Sequence, residues 1–598
     1  MTKKIKKKKA KKSRFLYIFF LISSIYLIRN ILLLGPIEPL VRYICIGIII
    51  FINILIFNRV FLSKKKKKNV STAFIMILLI IINISAGFTV DTLYSKLSNM
   101  TKTKTLYSTS LIVLKESNYK ITSIKNKKIC LINDEESIDG YKLANKIITE
   151  KNLNKSNEII KHENYPTLIN NLYEKKCDAI LIPSNYESMF QGIDEYKNFK
   201  DDIVVLETKT ENQKQKEKVF NTKKITEPFT MLLIGIDSSK DGLGNSDSFN
   251  GDSLMIVTFN PNTLNATILS IPRDSYVPIA CFKNQYENKI THAAWKGTNC
   301  IINTIQNFLD IKIDYYAKIN FKGLVSLVNE LGGITVEVPK NLCTNSSNRK
   351  GKVCIKKGKR KLNGEEALVL TRNRKQLANG DIDRGINQQI VLQGIIDSAK
   401  KIDNASEIYR ILDVISKNLD TNMSNDTILS FYDVGKTMLA NTSSSSDLIS
   451  LQQLYLAGTG QMIYDENTKL TMWNYILNKQ SIEDVSNEMK VNLELKEYES
   501  IKTFNYEINE KYTKKIVGKG PYKIYTTYDL VPDLTKYTKL EAENWARKFG
   551  ITIIYNEVQK EGYINGRIIS QQYPYRKRID KIPDKRISVE IVNNTKAP

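Results

Sequence analysis

Histidine is nearly missing from this chain of 598 residues, which contains only His162 and His292. Catalysis by a Ser–His–Asp or Cys–His arrangement would depend on His292, and no nucleophile-elbow motif accompanies it. Such a histidine is more often structural. The seven cysteines include no CxxC pair, which argues against a zinc site. Because Walker and GxGxxG motifs are also missing, the sequence does not favour nucleotide binding.

Acidic residues are nearly missing from the first 70 positions, which hold 17 lysines and arginines but one acid, Glu38. Three apolar stretches lie in and just after this segment, at about 15–34, 41–62 and 70–90, and each is near the roughly 20 residues that cross a bilayer. No small-residue cleavage site supports a signal peptide instead. Since basic runs stay in the cytoplasm, residues 1–92 are predicted to be a cytoplasmic basic tail and three transmembrane helices. The bulk of the chain is then extracellular.

The net charge of +27 comes largely from this N-terminal segment. It therefore reflects membrane topology, and no helix-turn-helix or RNA-binding motif accompanies it. We expect no nucleic-acid partner. The remainder of the chain is mildly basic, which suits anionic partners such as lipid phosphates or wall polymers.

One cysteine lies in an apolar stretch and six lie beyond the membrane segments, where an even number favours disulfides. Six cysteines allow fifteen pairings. Pairing between neighbours in the sequence is the arrangement we expect: Cys130–Cys177, Cys281–Cys300 and Cys343–Cys354.

The external part divides into three predicted units. Residues 93–210 read as a stalk, over about 91–125, followed by a small parallel α/β domain, because short apolar strands alternate with helical segments. This domain carries no catalytic constellation, so a spacer or docking module is the simpler interpretation. Residues 226–496 predict an α/β domain, a mixed sheet flanked by helices. Residues 524–594 predict a smaller α+β domain, with a helix beginning near Thr538.

Two clusters of charged residues mark the candidate site. The first, LLIGIDSS to SIPRDS, contains Asp237, Asp252 and Arg273; the second, LTRNRKQLANGDIDRG, contains three arginines. Carboxylates at strand ends can bind Mg²⁺ together with substrate phosphates, and arginine binds phosphate oxygens through a planar pair of donors. Ordinary turns and surface salt bridges would explain each residue singly. Together the residues predict a magnesium–pyrophosphate site.

These motifs resemble the LytR–CpsA–Psr family of bacterial cell-wall glycopolymer transferases. The similar segments occur in the same order over about residues 227–440: LLIGID, GDSLMIVTFNP, SIPRDSYV, KITHAAWKG, IDYYAKINFKGLVSLVNELGGITVEVP, LNGEEALVLTRNR and GDIDRG. The last unit, through VPDLTKYTKLEAENWARKFGI, is similar to PASTA domains, which are associated with peptidoglycan recognition.

The resemblance implies an external domain whose hydrophobic pocket holds a polyprenyl chain, with the pyrophosphate at the pocket mouth. It assigns Mg²⁺, or Mn²⁺, to Asp237 and Asp252. The implied pyrophosphate-binding residues are Arg273, Arg372, Arg374, Arg384 and Gln388. The implied reaction moves a phosphoglycan, such as a teichoic acid or capsule-like polymer, from polyprenyl pyrophosphate to a peptidoglycan hydroxyl. Asp274 and Asp381 are both candidates for the general base.

The chain departs from the family pattern at several positions. Asn250 and Gly251 precede Asp252 where an arginine is frequent, Asn387 replaces a second arginine, and Leu370 replaces a tyrosine. Two alternatives therefore stay open: a non-enzymatic polyprenyl-phosphate binder or wall sensor, and a lipid-pyrophosphate pyrophosphatase. A transcriptional regulator is disfavoured, because the predicted cytoplasmic parts are only short lysine-rich segments.

Overall fold

The computed structural model describes most of the chain. The described residues are 2–35, 39–62, 69–101, 104–190, 193–214, 225–236, 249–346, 351–399, 401–402, 405–431, 450–497, 517–522 and 527–595.

Three long apolar helices begin the chain: α1 (Thr2–Leu32), α2 (Pro39–Phe57) and α3 (Asn69–Thr101). Their segments long and apolar enough to cross a membrane are Ser13–Leu32, Pro39–Leu62 and Ser71–Asn99. Asn83 of α3 donates to the hydroxyls of Ser23 and Ser24 on α1, at 3.2 and 3.0 Å. Because a bilayer offers polar groups no water, such contacts between helices hold the bundle together. The three predicted apolar helices are confirmed.

The third helix continues past its apolar part and packs on the central domain. Its Lys96 forms an ion pair with Asp413 on α12 (Ala405–Asn418). Leu97 and Leu429 are buried together in one apolar cluster. The prediction of a stalk over about 91–125 is therefore wrong, because residues up to Thr101 belong to this helix and the next described residues form a strand.

That strand belongs to the small domain, whose sheet has the order β3-β2-β4-β1-β5. Its strands are β1 (Lys104–Leu114), β2 (Lys128–Ile132), β3 (Glu158–His162), β4 (Ala179–Pro183) and β5 (Ile203–Lys214), and its helices are α4 (Leu143–Glu150), α5 (Tyr165–Tyr173), α6 (Tyr186–Met189) and α7 (Phe199–Asp202). β2, β3 and β4 are parallel, as predicted. β1 pairs antiparallel with both β4 and β5. The sheet is thus mixed rather than parallel, because the supposed stalk supplies a strand running in the opposite direction.

The central domain is built on a six-stranded mixed sheet of order β16-β11-β6-β7-β8-β17. Its strands are β6 (Phe229–Ile236), β7 (Gly251–Asn260), β8 (Asn265–Ile271), β11 (Tyr315–Asn320), β16 (Leu419–Thr421) and β17 (Ser450–Leu454). The neighbouring helices are α8 (Thr298–Leu309), α9 (Phe321–Glu330), α10 (Gly364–Arg372) and α11 (Asp381–Ala399). The apolar stretches of β6, β7 and β8 are buried, so the strands predicted from them lie at the centre of the sheet. The predicted mixed sheet with flanking helices is confirmed.

Short hairpins surround this sheet. They comprise β9 (Tyr276–Pro278) with β10 (Glu287–Lys289), β12 (Ile334–Val338) with β15 (Gly358–Leu362), β13 (Leu342–Asn345) with β14 (Lys352–Ile355), and β18 (Gly458–Asp465) with β19 (Leu470–Leu477). The helix α13 (Lys479–Asn492) follows the last of them. The three disulfides pair neighbouring cysteines, as predicted: Cys130–Cys177, Cys281–Cys300 and Cys343–Cys354.

The C-terminal domain packs α14 (Lys539–Phe549) against a sheet of order β20-β22-β21. Its strands are β20 (Thr552–Val558), β21 (Ile568–Gln571) and β22 (Arg586–Val592). Thr538 caps the helix: its hydroxyl accepts from the Glu541 amide, and the Glu541 carboxylate accepts from the Thr538 amide. The predicted α+β composition and helix start are confirmed.

The turn between β18 and β19 is where the three external units meet. The carbonyl of Asn467 accepts from the side chain of Asn164 in the small domain, at 3.1 Å. Glu466 forms an ion pair with Lys577 of the C-terminal domain. Asp465 accepts from Asn288 of β10 at 2.6 Å. These contacts show that the small domain packs on the central domain, and its role as a spacer or docking module stays a prediction.

Candidate functional site

The candidate site lies where β7 begins and β8 ends. These two strands are antiparallel, with Leu254 opposite Ile271, so the start of one and the end of the other share an edge of the sheet. Asp252 stands at this edge on β7, and Arg273 and Asp274 directly follow β8. Asp237, predicted as the other metal ligand, directly follows β6 in the sequence and lies outside the described residues. The sheet therefore brings the first cluster of predicted residues to one edge.

The second cluster reaches this edge because α11 packs closely on β8. A Cβ on Gly385 would lie 2.8 Å from the Cβ of Ser270, so only glycine permits this approach. The Ser270 hydroxyl donates to the Gly385 carbonyl at 3.0 Å. Arg384, one residue earlier, donates from Nη2 to the Asp252 carbonyl at 2.8 Å. The helix thus places Arg384 against the strand that carries Asp252.

The carboxylate of Asp252 is held by a cation and an amide. Arg273 Nη1 lies 2.6 Å from Asp252 Oδ1, and Asn250 Nδ2 lies 3.1 Å from the same oxygen. The Thr291 hydroxyl donates to Asn250 Oδ1 at 2.6 Å and so orients that amide. Asn250, a departure from the family pattern, therefore supports the carboxylate of Asp252 through a neutral hydrogen bond.

Asp274 is buried among three cations. Lys289 Nζ lies 2.9 Å from Oδ1, and Arg273 Nε and Arg374 Nη1 lie 3.8 and 3.9 Å from Oδ2. Burial by itself would raise the pKa of Asp274, but Lys289, Arg273 and Arg374 together hold it below its ordinary value. Asp274 is therefore ionised at neutral pH and acts as the common anion of these cations.

Comparison with known proteins identifies the domain that carries this site. The model of the LytR_cpsA_psr family matches residues 196–491. TagT of Bacillus subtilis (strain 168), named a polyisoprenyl-teichoic acid–peptidoglycan teichoic acid transferase, is 33% identical over 268 residues, which cover 44% of this chain and 77% of TagT. The chain belongs to the LytR_cpsA_psr family.

Other relatives match over a similar length. An uncharacterised protein of Staphylococcus aureus (strain NCTC 8325 / PS 47) is 30% identical over 276 residues, 45% of this chain and 63% of that protein. The crystal structure of B. subtilis TagV is 30% identical, with a TM-score of 0.38 and coverage of 46% of this chain and 99% of that chain. The chain thus spans somewhat less than two thirds of the Staphylococcus relative.

The remaining predicted residues of this LytR_cpsA_psr domain lie beside the network of Asp252 and Asp274. Arg372 ends α10, and its guanidinium packs over the Phe321 ring, 4.5 Å from the ring centre. Gln388 of α11 donates to the Thr371 carbonyl at 3.3 Å, which ties α11 to the end of α10. Asp381 begins α11. All of these residues cluster around the facing ends of α10 and α11.

A narrow cavity opens between β8 and α11. Its volume is about 20 Å³, which is room for about one water molecule. Asp252, Arg384 and Gln388 contribute polar walls. Its apolar lining consists of Ile271, Pro272, Ile382, Ile386, Leu454 and Leu456. This volume is far too small for a polyprenyl chain, so the lipid pocket that the resemblance implies stays a prediction.

Two residues of the KITHAAWKG motif have roles that the sequence reading did not separate. Lys289, the first residue of the motif, is the nearest cation to Asp274, and its position two residues after Glu287 on β10 gave no indication of that contact. His292 is buried, stacks on Trp295 with ring centres 3.9 Å apart, and places Nδ1 2.7 Å from Asn288 Oδ1. Burial, with Lys289 nearby, lowers the pKa of His292 well below its ordinary value. The structural interpretation of His292 fits this neutral, packed ring.

Proposed function

We propose that this protein transfers a phosphoglycan, such as a teichoic acid or capsule-like polymer, from a polyprenyl-pyrophosphate carrier to peptidoglycan outside the membrane. The observation that carries the proposal is the convergence of cations at one edge of the sheet: Arg273, Lys289 and Arg374 lie at the carboxylates of Asp252 and Asp274, and Arg384 lies on the Asp252 carbonyl. Arginines gathered in this way suit the several negative charges of a pyrophosphate. The printed name of the B. subtilis relative TagT agrees with this substrate class.

The reaction is a phosphoryl transfer. The acceptor hydroxyl oxygen forms a new bond to the phosphorus that carries the glycan, and the bond from that phosphorus to the bridging oxygen breaks. Polyprenyl phosphate leaves with the electron pair of the broken bond. Catalysis of this type depends on positioning and on stabilising charge on the phosphoryl oxygens. The fixed guanidinium groups of Arg273 and Arg384, both little exposed, provide such charge without large rearrangement.

A divalent cation fits this site through Asp252. Both described hydrogen bonds to that carboxylate reach Oδ1, so Oδ2 is available to a metal. Mg²⁺ commonly takes one or two carboxylates and completes its shell with substrate phosphates and water. Asp252, with Asp237 as the sequence suggests, would hold Mg²⁺ or Mn²⁺, which would neutralise pyrophosphate charge.

The general base is better assigned to Asp381 than to Asp274. Asp274 forms ion pairs that lower its pKa, and both of its carboxylate oxygens face cations. Asp274 is therefore a poor proton acceptor. Asp381 begins α11 three residues before Arg384. It is therefore the candidate that we propose would take the proton of the acceptor hydroxyl.

Membrane anchoring places this site near its lipid donor. The three apolar helices would form a multi-pass anchor with a cytoplasmic N-terminus, because lysine-rich segments stay inside. The α3 helix packs directly on α12 of the central domain through Lys96 and Leu97. With this topology the central domain, which follows a continuous helix, would lie close to the outer membrane surface. The C-terminal domain, with its PASTA-like sequence, would contact peptidoglycan there.

The test uses the full-length protein in lipid nanodiscs. It is incubated with a synthetic polyprenyl-pyrophosphoryl glycan, Mg²⁺ and peptidoglycan oligomers, and the products are analysed by mass spectrometry. We expect a glycan joined to the oligomer by a phosphodiester, lost in Arg273→Gln and retained in Arg360→Gln, an exposed arginine on β15. Tight lipid binding without any product would favour the binder, and glycan phosphate released without peptidoglycan would favour the pyrophosphatase.

A further inference from the structure

A buried arginine of the C-terminal domain, Arg578, contacts the central domain. Arg578 Nη1 lies 2.6 Å from Glu287 Oε2 on β10, while Nε and Nη2 bind the two carboxylate oxygens of Asp580 at 3.0 and 2.6 Å. The guanidinium also lies over the Tyr528 ring, 3.5 Å from its centre. The Tyr528 hydroxyl donates to Glu287 Oε1 at 3.0 Å. Both oxygens of Glu287 are thus held by the C-terminal domain.

Strand β10 begins at Glu287, and its last residue, Lys289, lies in the candidate site. β10 consists of Glu287, Asn288 and Lys289, and each makes a different contact. Asn288 Nδ2 donates to Asp465 Oδ2 at 2.6 Å, and Lys289 Nζ lies 2.9 Å from Asp274. Because Glu287 and Lys289 are the two ends of one three-residue strand, a shift of this strand at Glu287 would also displace Lys289.

The C-terminal domain also contacts the hairpin of β18 and β19, which packs beside the loop that carries Arg273 and Asp274. Gln461 of β18 exchanges two hydrogen bonds with the Tyr528 backbone, at 2.7 and 3.0 Å. On the partner strand β19, the Tyr475 amide donates to the Asp274 carbonyl at 2.8 Å. The loop that carries Arg273 and Asp274 therefore contacts two hairpins, β9–β10 and β18–β19. The C-terminal domain contacts each of these hairpins.

We propose that Arg578 is a positioning residue of the transferase: by fixing Glu287 it keeps Lys289 on Asp274 and so orients the loop that carries Arg273. This role rests on the proposed function. It would make the C-terminal domain maintain the geometry of the site, in addition to any contact with the wall. Arg578 touches no substrate. It acts through β10.

Hydrogen–deuterium exchange of the full-length protein tests the structural half of the proposal and needs no substrate. We expect Arg578→Met to speed exchange of the amides of Tyr276 and Val277 and of residues 287–289 by about tenfold or more, since these strands lose their fixed partner. Amides of α14 and β22 should be unchanged, which shows that the C-terminal domain stays folded. Arg586→Met, at an exposed arginine of the same domain, is the matched control.

Steady-state transfer tests the functional half. We expect Arg578→Met to lower kcat by about 10- to 100-fold, because small misplacements of catalytic groups are costly, with KM for the lipid donor changed less than about threefold. Arg578→Lys, which keeps the charge that Glu287 needs, should recover part of kcat. Combining Arg578→Met with Glu287→Gln should add little to either single change, because both act through one contact.

Each result decides the proposal. Faster exchange with unchanged kcat, or unchanged exchange and kcat, would overturn it. If Arg578→Met unfolds the C-terminal domain, Glu287→Gln and Arg578→Lys give the decision instead, since they leave that domain's own contacts largely in place. A wild-type protein without transfer would overturn the proposed function, and the docking role of Arg578 would then be judged by exchange alone.

Discussion

Two buried arginine clusters of this molecule differ in their balance of charge. Among the described residues, the site cluster brings Arg273, Lys289 and Arg374 to the carboxylates of Asp252 and Asp274 and Arg384 to the Asp252 carbonyl, four cations and two anions. The docking cluster brings Arg578 and Lys581 to Glu287 and Asp580, two cations for two anions. Burial opposes the charge of Arg578, yet Asp580, Tyr528 and Glu287 raise its pKa above the ordinary value.

This difference distinguishes a cluster that would bind a ligand from a cluster that joins two domains. A desolvated cation is costly unless an anion compensates it, so the balanced cluster is complete without any ligand and serves docking. Among the described residues the site cluster carries more cations than carboxylates, and under the proposed function pyrophosphate is the further anion that it binds. Substitutions in the docking cluster should therefore lower stability, whereas removal of a cation from the site cluster should lower activity at little cost in stability.

The largest expected effect on stability comes from removing the carboxylate that three cations of the site cluster share. Asp274→Asn leaves Lys289, Arg273 and Arg374 without their shared carboxylate, so we expect the free energy of unfolding to fall by about 3–5 kcal/mol. Chemical denaturation of the full-length protein measures it. Asp580→Asn is the matched change in the docking cluster, where the carboxylate is about half exposed, and it should cost less. Equal losses would refute the distinction between the clusters.

Acid titration of stability gives an independent reading of Asp274. Its folded pKa is lower than the ordinary 3.8, so the unfolded chain takes up the proton first as the pH falls. The stabilisation is complete above about pH 4 and is lost as the pH falls below 3.8 through the folded value. Asp274→Asn should remove this part of the acid dependence and leave the behaviour near neutral pH unchanged.

Removing a cation from the site cluster should lower transfer and leave the free energy of unfolding nearly unchanged. Arg374 is about one third exposed and lies 3.9 Å from Asp274, a weak contact. We expect Arg374→Gln to reduce transfer by about 10²–10³-fold, the usual cost of one charge-stabilising donor, while the free energy of unfolding changes by less than about 0.5 kcal/mol. Transfer kinetics and denaturation of the same preparation check both halves. A large loss of stability with normal transfer would assign Arg374 to the structure instead.

Asn288 lies on β10 between Glu287 of the docking cluster and Lys289 of the site cluster, and its side chain contacts His292. The folded pKa of His292 lies well below 6.5, because burial and Lys289 disfavour the charged ring. Below pH 6.5 the unfolded chain binds a proton that the folded ring does not, so stability falls as the pH decreases, by about 1.4 kcal/mol per pH unit until the folded pKa is reached.

Thermal unfolding between pH 7.5 and 5 measures this dependence. His292→Gln retains a donor for Asn288 and should flatten the curve. His162, the other histidine, also has its pKa lowered by burial, so His162→Gln separates the two contributions. An unaltered curve in His292→Gln would show that the ring accepts a proton while folded.

Local sequence predicted the site as far as strand ends and helix caps allow. Asp252 and Arg273 could be placed at strand ends because apolar stretches begin or end beside them, and the predicted start of α14 near Thr538 agrees with the capping observed there. The disulfides followed from short spacings. Each of these features is decided by residues close together in the chain.

Long-range pairing decided what the sequence could not give. β1 joins β4 and β5 from a segment without an evident partner pattern, so the mixed small sheet was missed. Lys289 meets Asp274 only through the register of β9 and β10. Arg578 reaches Glu287 across 291 positions. Such contacts depend on how domains pack, and no local periodicity reports them.

The smallest predicted effect sharpens the comparison within the docking cluster. Tyr528→Phe removes the hydroxyl that donates to Glu287 but keeps the ring against Arg578. We expect a loss of about 1 kcal/mol in the free energy of unfolding, the usual worth of one such hydrogen bond. Tyr575→Phe, at a half-exposed ring of the same domain, should change nothing measurable. Because Arg578 still holds Glu287, transfer should fall less than about threefold. A drop as large as that of Arg578→Met would show that the tyrosine, and not the guanidinium, fixes β10.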